Sequence, residues 1–191
     1  NYVVTAKARS NIRNYLKNMQ ADEAMSQGRR LLERCQLKRA DLKPRTFVFP
    51  SIGGTEGRDR LRRMCTEGLL ARGLTGDARA RRRLESELAV IEQLGFVDYF
   101  LATSRVVGWA RRQGIPSVGR GSGVASLVAY LLFITNVNPV DYGLYFERFL
   151  HPLRGDYPDL DIDLAWDRRD EVIAYALEAF GQERAARIGT H

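Results

Sequence analysis

The chain has 191 residues, 45% hydrophobic and 28% charged, a balance that fits a folded core and excludes a disordered polymer. Its net charge of +7 is uneven: residues 1–83 hold 20 Lys and Arg against 8 Asp and Glu, whereas residues 84–191 hold 10 against 15. No apolar run approaches the ~20 residues needed to span a bilayer, and with only two His and two Cys neither a zinc knuckle nor a disulfide framework is expected.

The chain opens on Asn1 with no secretory pattern, so a cytoplasmic piece of a longer protein is expected. Residues 22–35 read as a helix with Ala24, Leu31, Leu32 and Cys35 between charges. Lys43 to Gly54 reads as an extended loop. Helical periodicity resumes at Thr55 through Leu61, Met64, Cys65 and Leu69, and ends near Gly73. Arg81 opens a stronger helix carrying Leu84, Leu88, Ile91 and Leu94, with Gly95 as its C-cap. A further helix, Val97 to Gln113, stops at Gly114 and Pro116. Ser117 to Gly123 is a glycine-rich loop, and Val124 to Phe133 is an almost wholly apolar helix. Asn138-Pro139 begins a turn, and Leu144 to Leu150 is short and amphipathic. Asp159 to Leu164 alternates strictly and reads as a strand. Asp167 is placed to cap a last helix with Val172, Ile173, Leu177 and Phe180, closed by Gly181.

Two constellations carry chemistry. Side chains two apart on a strand share a face, so Asp159, Asp161 and Asp163 line one side while Leu160, Ile162 and Leu164 anchor the other. Like charges at that spacing need a cation or a retained proton, and an all-oxygen donor set favours Mg²⁺ or Mn²⁺ over zinc. The alternative is an exposed edge strand with solvated carboxylates. In the loop Gly119-Arg120-Gly121-Ser122-Gly123, glycines admit close backbone approach, Arg120 offers a charge suited to phosphate, and Ser122 can cap the next helix or bond a phosphate oxygen. The loop lacks the Gly-Lys-Ser/Thr ending of a P-loop, and a tight turn into a buried helix explains it equally well. Together, an anion site and a carboxylate strand within 40 residues suit nucleotidyl transfer.

The run Gly119–Tyr130, then Ile134-Thr135, Asn138-Pro139, Phe146–Leu150, Pro158–Asp163 and Arg168–Ile173, resembles the palm of the bacterial C-family DNA polymerases, and the lead-in Glu87–Leu101 is similar too. The match is specific over 84–175 and looser over 20–80. It implies an α+β fold: part of a polymerase-beta-like nucleotidyltransferase palm, a small mixed sheet with helices over residues 81–191, preceded by a basic, mainly helical lead-in over 1–80. It also implies that Gly121, Ser122 and Arg120 meet the triphosphate of an incoming dNTP. Asp159 and Asp161 would be the catalytic ligands of two Mg²⁺ (or Mn²⁺) ions, with Asp163 beside them as a supporting residue. Gly123 and Val124 stand where alanines are usual, and Leu164 where Phe is usual.

The expected activity is template-directed DNA synthesis by the longer protein, with primer-template DNA and dNTPs as substrates. The remaining polymerase domains and replisome subunits are the expected partners, and no membrane is expected. The family's third catalytic aspartate has no counterpart here, so the chain alone is expected to be inactive. The competing readings are a non-catalytic nucleic-acid-binding module with vestigial palm motifs and a metal-dependent phosphohydrolase, whose histidine-rich ligand set is missing.

Overall fold

In the computed structural model, which describes residues 11, 12, 14, 21–34, 56–153 and 157–186, the apolar stripes of the sequence from Leu61 onward become helix faces packed on a main core. The chain forms two compact units, 1–47 and 48–191. The first contains α1 (Ala21–Arg34), the helix expected from residue 22. The loop expected over 43–54 lies outside the described residues.

In the second unit α2 (Gly57–Ala71) buries Leu61, Cys65 and Leu69, and α3 (Ala78–Gln93) buries Ala80, Leu84, Leu88 and Ile91. Arg62 bridges the two helices, reaching Glu85 and Glu92 at 2.9 Å each. The division expected at residue 80 therefore falls inside α3, because α2 shares its core with the helices that follow. The start of α3 is also earlier than Arg81. Asp77 caps it, accepting from the Arg79 and Ala80 N–H groups at 2.7 and 3.2 Å. Its C-terminus is as expected, with Gly95 at φ 75°.

Helix α4 (Val97–Arg112) buries Phe100, Leu101 and Val107 in the main core and Ala110 in a second, smaller cluster with Ile115 and Val172. The segment expected to be only a loop opens with a strand, β1 (Ser117–Arg120), and continues as a 3-10 turn, Gly121–Ala125. The apolar helix expected over 124–133 is shorter: α5 (Leu127–Leu131). Ser126 adopts extended backbone and its Oγ accepts from the Ala129 N–H at 3.1 Å. Ser126, and not Ser122, is thus the helix cap.

The acidic segment forms β2 (Asp161–Leu164), so Asp159 and Leu160 lead into the strand instead of belonging to it. The strands pair antiparallel, with Ser117 opposite Leu164, Val118 opposite Asp163, Gly119 opposite Ile162 and Arg120 opposite Asp161. Where a mixed sheet was expected, the described residues hold this one antiparallel pair. Leu160 and Ile162 pack on the main core and Leu164 on the second cluster, as the alternation requires. Helix α6 (Arg169–Phe180) closes that cluster through Val172. Its N-cap is Arg168, without a side-chain cap bond, in place of the expected Asp167. No helix among the described residues is long and apolar enough to cross a membrane.

Candidate active site

Antiparallel register sets the site. It places Arg120 directly across from Asp161, on the acidic face of β2. The guanidinium Nη1 lies 3.4 Å from Asp161 Oδ2, and Nε donates to Asp163 Oδ1 at 3.1 Å. The Asp163 hydrogen bond, then the Asp161 and Asp163 charges, raise the arginine's pKa. One cation thus offsets the repulsion that the strand's spacing creates. All three side chains are well exposed, at 59%, 42% and 64%, so water screens these pairs. Arg120, expected at a phosphate, is engaged here by carboxylates.

Asp159 is exposed just ahead of the strand. The backbone between it and Asp161 is tied to α4, because the Leu160 N–H donates to the Tyr99 hydroxyl at 2.8 Å. Burial, reinforced by the charges of Asp159 and Asp161 and opposed by the Leu160 donor, pushes Tyr99 up to about 12. Tyr99 thus stays a neutral hydroxyl beside two anions.

The glycine turn folds onto the same segment. Gly121 has φ 69°, a conformation that disfavours other residues, and a Cβ placed there would sit 3.0 Å from Asp161 Oδ2. Gly123 is buried, and any Cβ on it would run into Leu160 Cδ2. The fold therefore brings Arg120, Gly121 and Asp161 together, while Ser122 is exposed at the surface of the turn.

A residue that the sequence reading gave no role holds this turn from behind. Glu87 is 1% exposed on the core stripe of α3. It accepts Arg83 Nε at 2.7 Å, Ser126 Oγ and the Leu127 N–H at 3.0 Å each, and the Val128 N–H at 3.1 Å. Arg83 Nη2 also donates to the Ala125 carbonyl at 2.7 Å. Burial raises the Glu87 pKa, and Arg83 and the two backbone donors oppose it. The pair closes off both the end of the 3-10 turn and the start of α5. Its signal in the sequence is an acid on an apolar stripe, four residues after an arginine.

The donors available to a metal are the carboxylates of Asp159 and Asp161, with Asp163 on the same side, a hard oxygen set that fits Mg²⁺ or Mn²⁺. Among the described residues no three His, Cys, Asp or Glu side chains converge where an ion could be held.

Residues 59–191 match the family model of the bacterial DNA polymerase III alpha NTPase domain. The chain is 42% identical over 170 residues to the DNA polymerase III subunit alpha of Halalkalibacterium halodurans, covering 88% of this chain and 15% of that one. It is 44% identical over 148 residues to the subunit alpha of Caulobacter vibrioides, covering 74% and 13%. It is 38% identical over 175 residues to the error-prone DNA polymerase of Pseudomonas paraeruginosa, covering 90% and 17%. The chain thus spans about a sixth of the length of these curated relatives. With a match over most of its second unit and identities of this size, the chain belongs to the bacterial DNA polymerase III alpha family.

Proposed function

We propose that the chain is part of the catalytic core of a bacterial replicative-type DNA polymerase, the first half of its palm, acting on primer-template DNA and dNTPs in the cytoplasm. The observation that carries this reading is the approach of the glycine turn to the acidic strand, with a Gly121 Cβ position only 3.0 Å from the Asp161 carboxylate. An anion-binding backbone beside metal-binding carboxylates is what a triphosphate with its cations requires.

In this reading Asp159 and Asp161 hold Mg²⁺ or Mn²⁺, which when bound supplies charge neutralisation on the phosphates and lowers the pKa of the attacking hydroxyl. Gly121 lets phosphate oxygens come close to the backbone, and Ser122 presents a hydroxyl to them. Arg120 exchanges its carboxylate partners for phosphate, so its charge follows the ligand. Tyr99 fixes the Asp159–Asp161 backbone, and Glu87 with Arg83 fixes the turn. The third carboxylate, the remaining polymerase domains and the replisome subunits come from outside this chain.

One observation favours a non-catalytic nucleic-acid-binding module instead: Arg120 already bridges Asp161 and Asp163, as a permanent substitute for a cation would. Primer extension by the full-length protein separates the two readings. Asp159→Ala and Asp161→Ala are expected to abolish synthesis, and an active Asp161→Ala protein would overturn the assignment.

A further inference from the structure

Away from the aspartates, α2 and α4 enclose a cleft of about 690 Å³. Arg60 enters it from α2, and Arg105, Arg111 and Arg112 from α4, against one carboxylate, Glu67. Among the described residues none of these four arginines is in an ion pair, whereas Arg62, Arg83, Arg120 and Arg168 each are. A second cleft of about 430 Å³ adjoins the first, since Arg111 and Phe133 line both, and it adds Arg72 and reaches Ser117 at the start of β1.

The junction is a built feature. Phe133 has φ 60°, a strained backbone for a bulky residue. Its ring is held between two guanidinium groups, Arg72 at 4.2 Å and Arg111 at 4.1 Å. Arg72 Nη2 donates to the Tyr130 and Thr135 carbonyls at 3.0 and 3.1 Å, yet its buried Nε has no hydrogen-bond partner. Burial, with a smaller contribution from the Arg111 charge, lowers the Arg72 pKa.

From this arrangement we propose that the two clefts form one groove that binds the sugar-phosphate backbone of a single nucleic-acid strand, apart from the metal centre. Cations on both walls and along two joined clefts suit successive phosphates more than one small anion. Guanidinium forks pair with phosphate oxygens two at a time. Phe133 and Tyr175 line the cleft beside these cations. A concave cleft of this size does not admit the width of a duplex. The inference deepens the proposed function and rests on it only in taking the strand to be DNA.

The test is fluorescence anisotropy of a labelled single-stranded deoxyoligonucleotide titrated with the 191-residue chain at graded NaCl. EDTA is present throughout, so that failure of the metal-centre reading cannot affect the outcome. Arg60→Ala with Arg112→Ala is expected to weaken binding at low salt and to flatten the log–log salt slope by about 1.4, about 0.7 for each phosphate contact on a single strand. Arg60→Lys with Arg112→Lys retains most of the affinity, and Glu67→Gln tightens binding. Arg82→Ala with Arg184→Ala, an equal charge removed elsewhere, leaves the slope unchanged. Equal losses from the two alanine pairs would overturn the groove and leave diffuse surface charge as the cause. A polyglutamate peptide or a duplex competing as well as the single strand would overturn the assigned ligand.

Discussion

Arg120 and Asp161 are partners across β1 and β2, and the guanidinium of one lies 3.4 Å from the carboxylate of the other. Because the same cation also holds Asp163, it competes with any metal for the acidic face. Arg120→Gln is therefore expected to have opposite effects on two ligands. Mn²⁺ binding to the chain should tighten by about two- to fivefold, the range that exposed ion pairs reach, while triphosphate binding weakens. Isothermal titration with Mn²⁺, and with dNTP, reads both. Parallel loss of the two would show that Arg120 is only structural.

Glu87 is expected to be the costliest side chain to remove. Glu87→Ala leaves the buried Leu127 and Val128 N–H groups, and the Nε of the partly exposed Arg83, without their acceptor. Breaking a buried pair from one side costs about 3–5 kcal/mol. Urea denaturation followed by circular dichroism measures it, and replacing Arg83 and Glu87 together should cost less than the sum of the single changes.

Two glycines near the site separate close approach to backbone from close approach to side chain. A Cβ on Gly119 meets the Ile134 carbonyl oxygen at 2.5 Å, which only a shift of the main chain relieves. A Cβ on Gly123 meets the end of the Leu160 side chain, which can rotate away. Gly119→Ala should therefore destabilise by about 1–3 kcal/mol or more, and Gly123→Ala by less. Thermal melts of the two variants check the order.

Cys65 supplies a pH dependence. It is fully buried, and burial, with a contribution from the Glu87 charge, pushes its thiol from the ordinary 9.0 to about 12. A group whose folded pKa is raised stabilises below its unfolded value and loses that contribution as pH rises through the folded one. The stability difference between wild type and Cys65→Ala should therefore be constant below pH 9. It should then shrink by about 1.4 kcal/mol per pH unit toward pH 12. Urea midpoints at pH 8, 10 and 11 test the sign.

What the sequence makes legible follows from how local each cause is. The courses of α2 and α4 follow their apolar stripes, and the approach of Gly121 to Asp161 follows from motifs about 40 residues apart, whereas the engagement of Arg120 by Asp161 and Asp163 does not show in the sequence. Strand β1 is not legible, because Ser117-Val118-Gly119-Arg120 holds a glycine and a single apolar side chain, with no apolar alternation. It exists because β2 offers it a partner and Gly119 fits under the Ile134 carbonyl. The break at Ser126 is hidden inside an apolar run for the same reason, since the Glu87 carboxylate that fixes it lies 39 residues away. The Arg81–Arg83 run masks the true helix start at Asp77.

The central claim is that Asp159 and Asp161 hold a divalent cation beside the glycine turn. The direct measurement is paramagnetic broadening of amide signals when Mn²⁺ is added to the ¹⁵N-labelled chain. Broadening is predicted to concentrate at residues 119–123 and 159–163, to spare α2, and to disappear in Asp161→Asn. Broadening centred elsewhere, or unchanged in Asp161→Asn, would contradict the account.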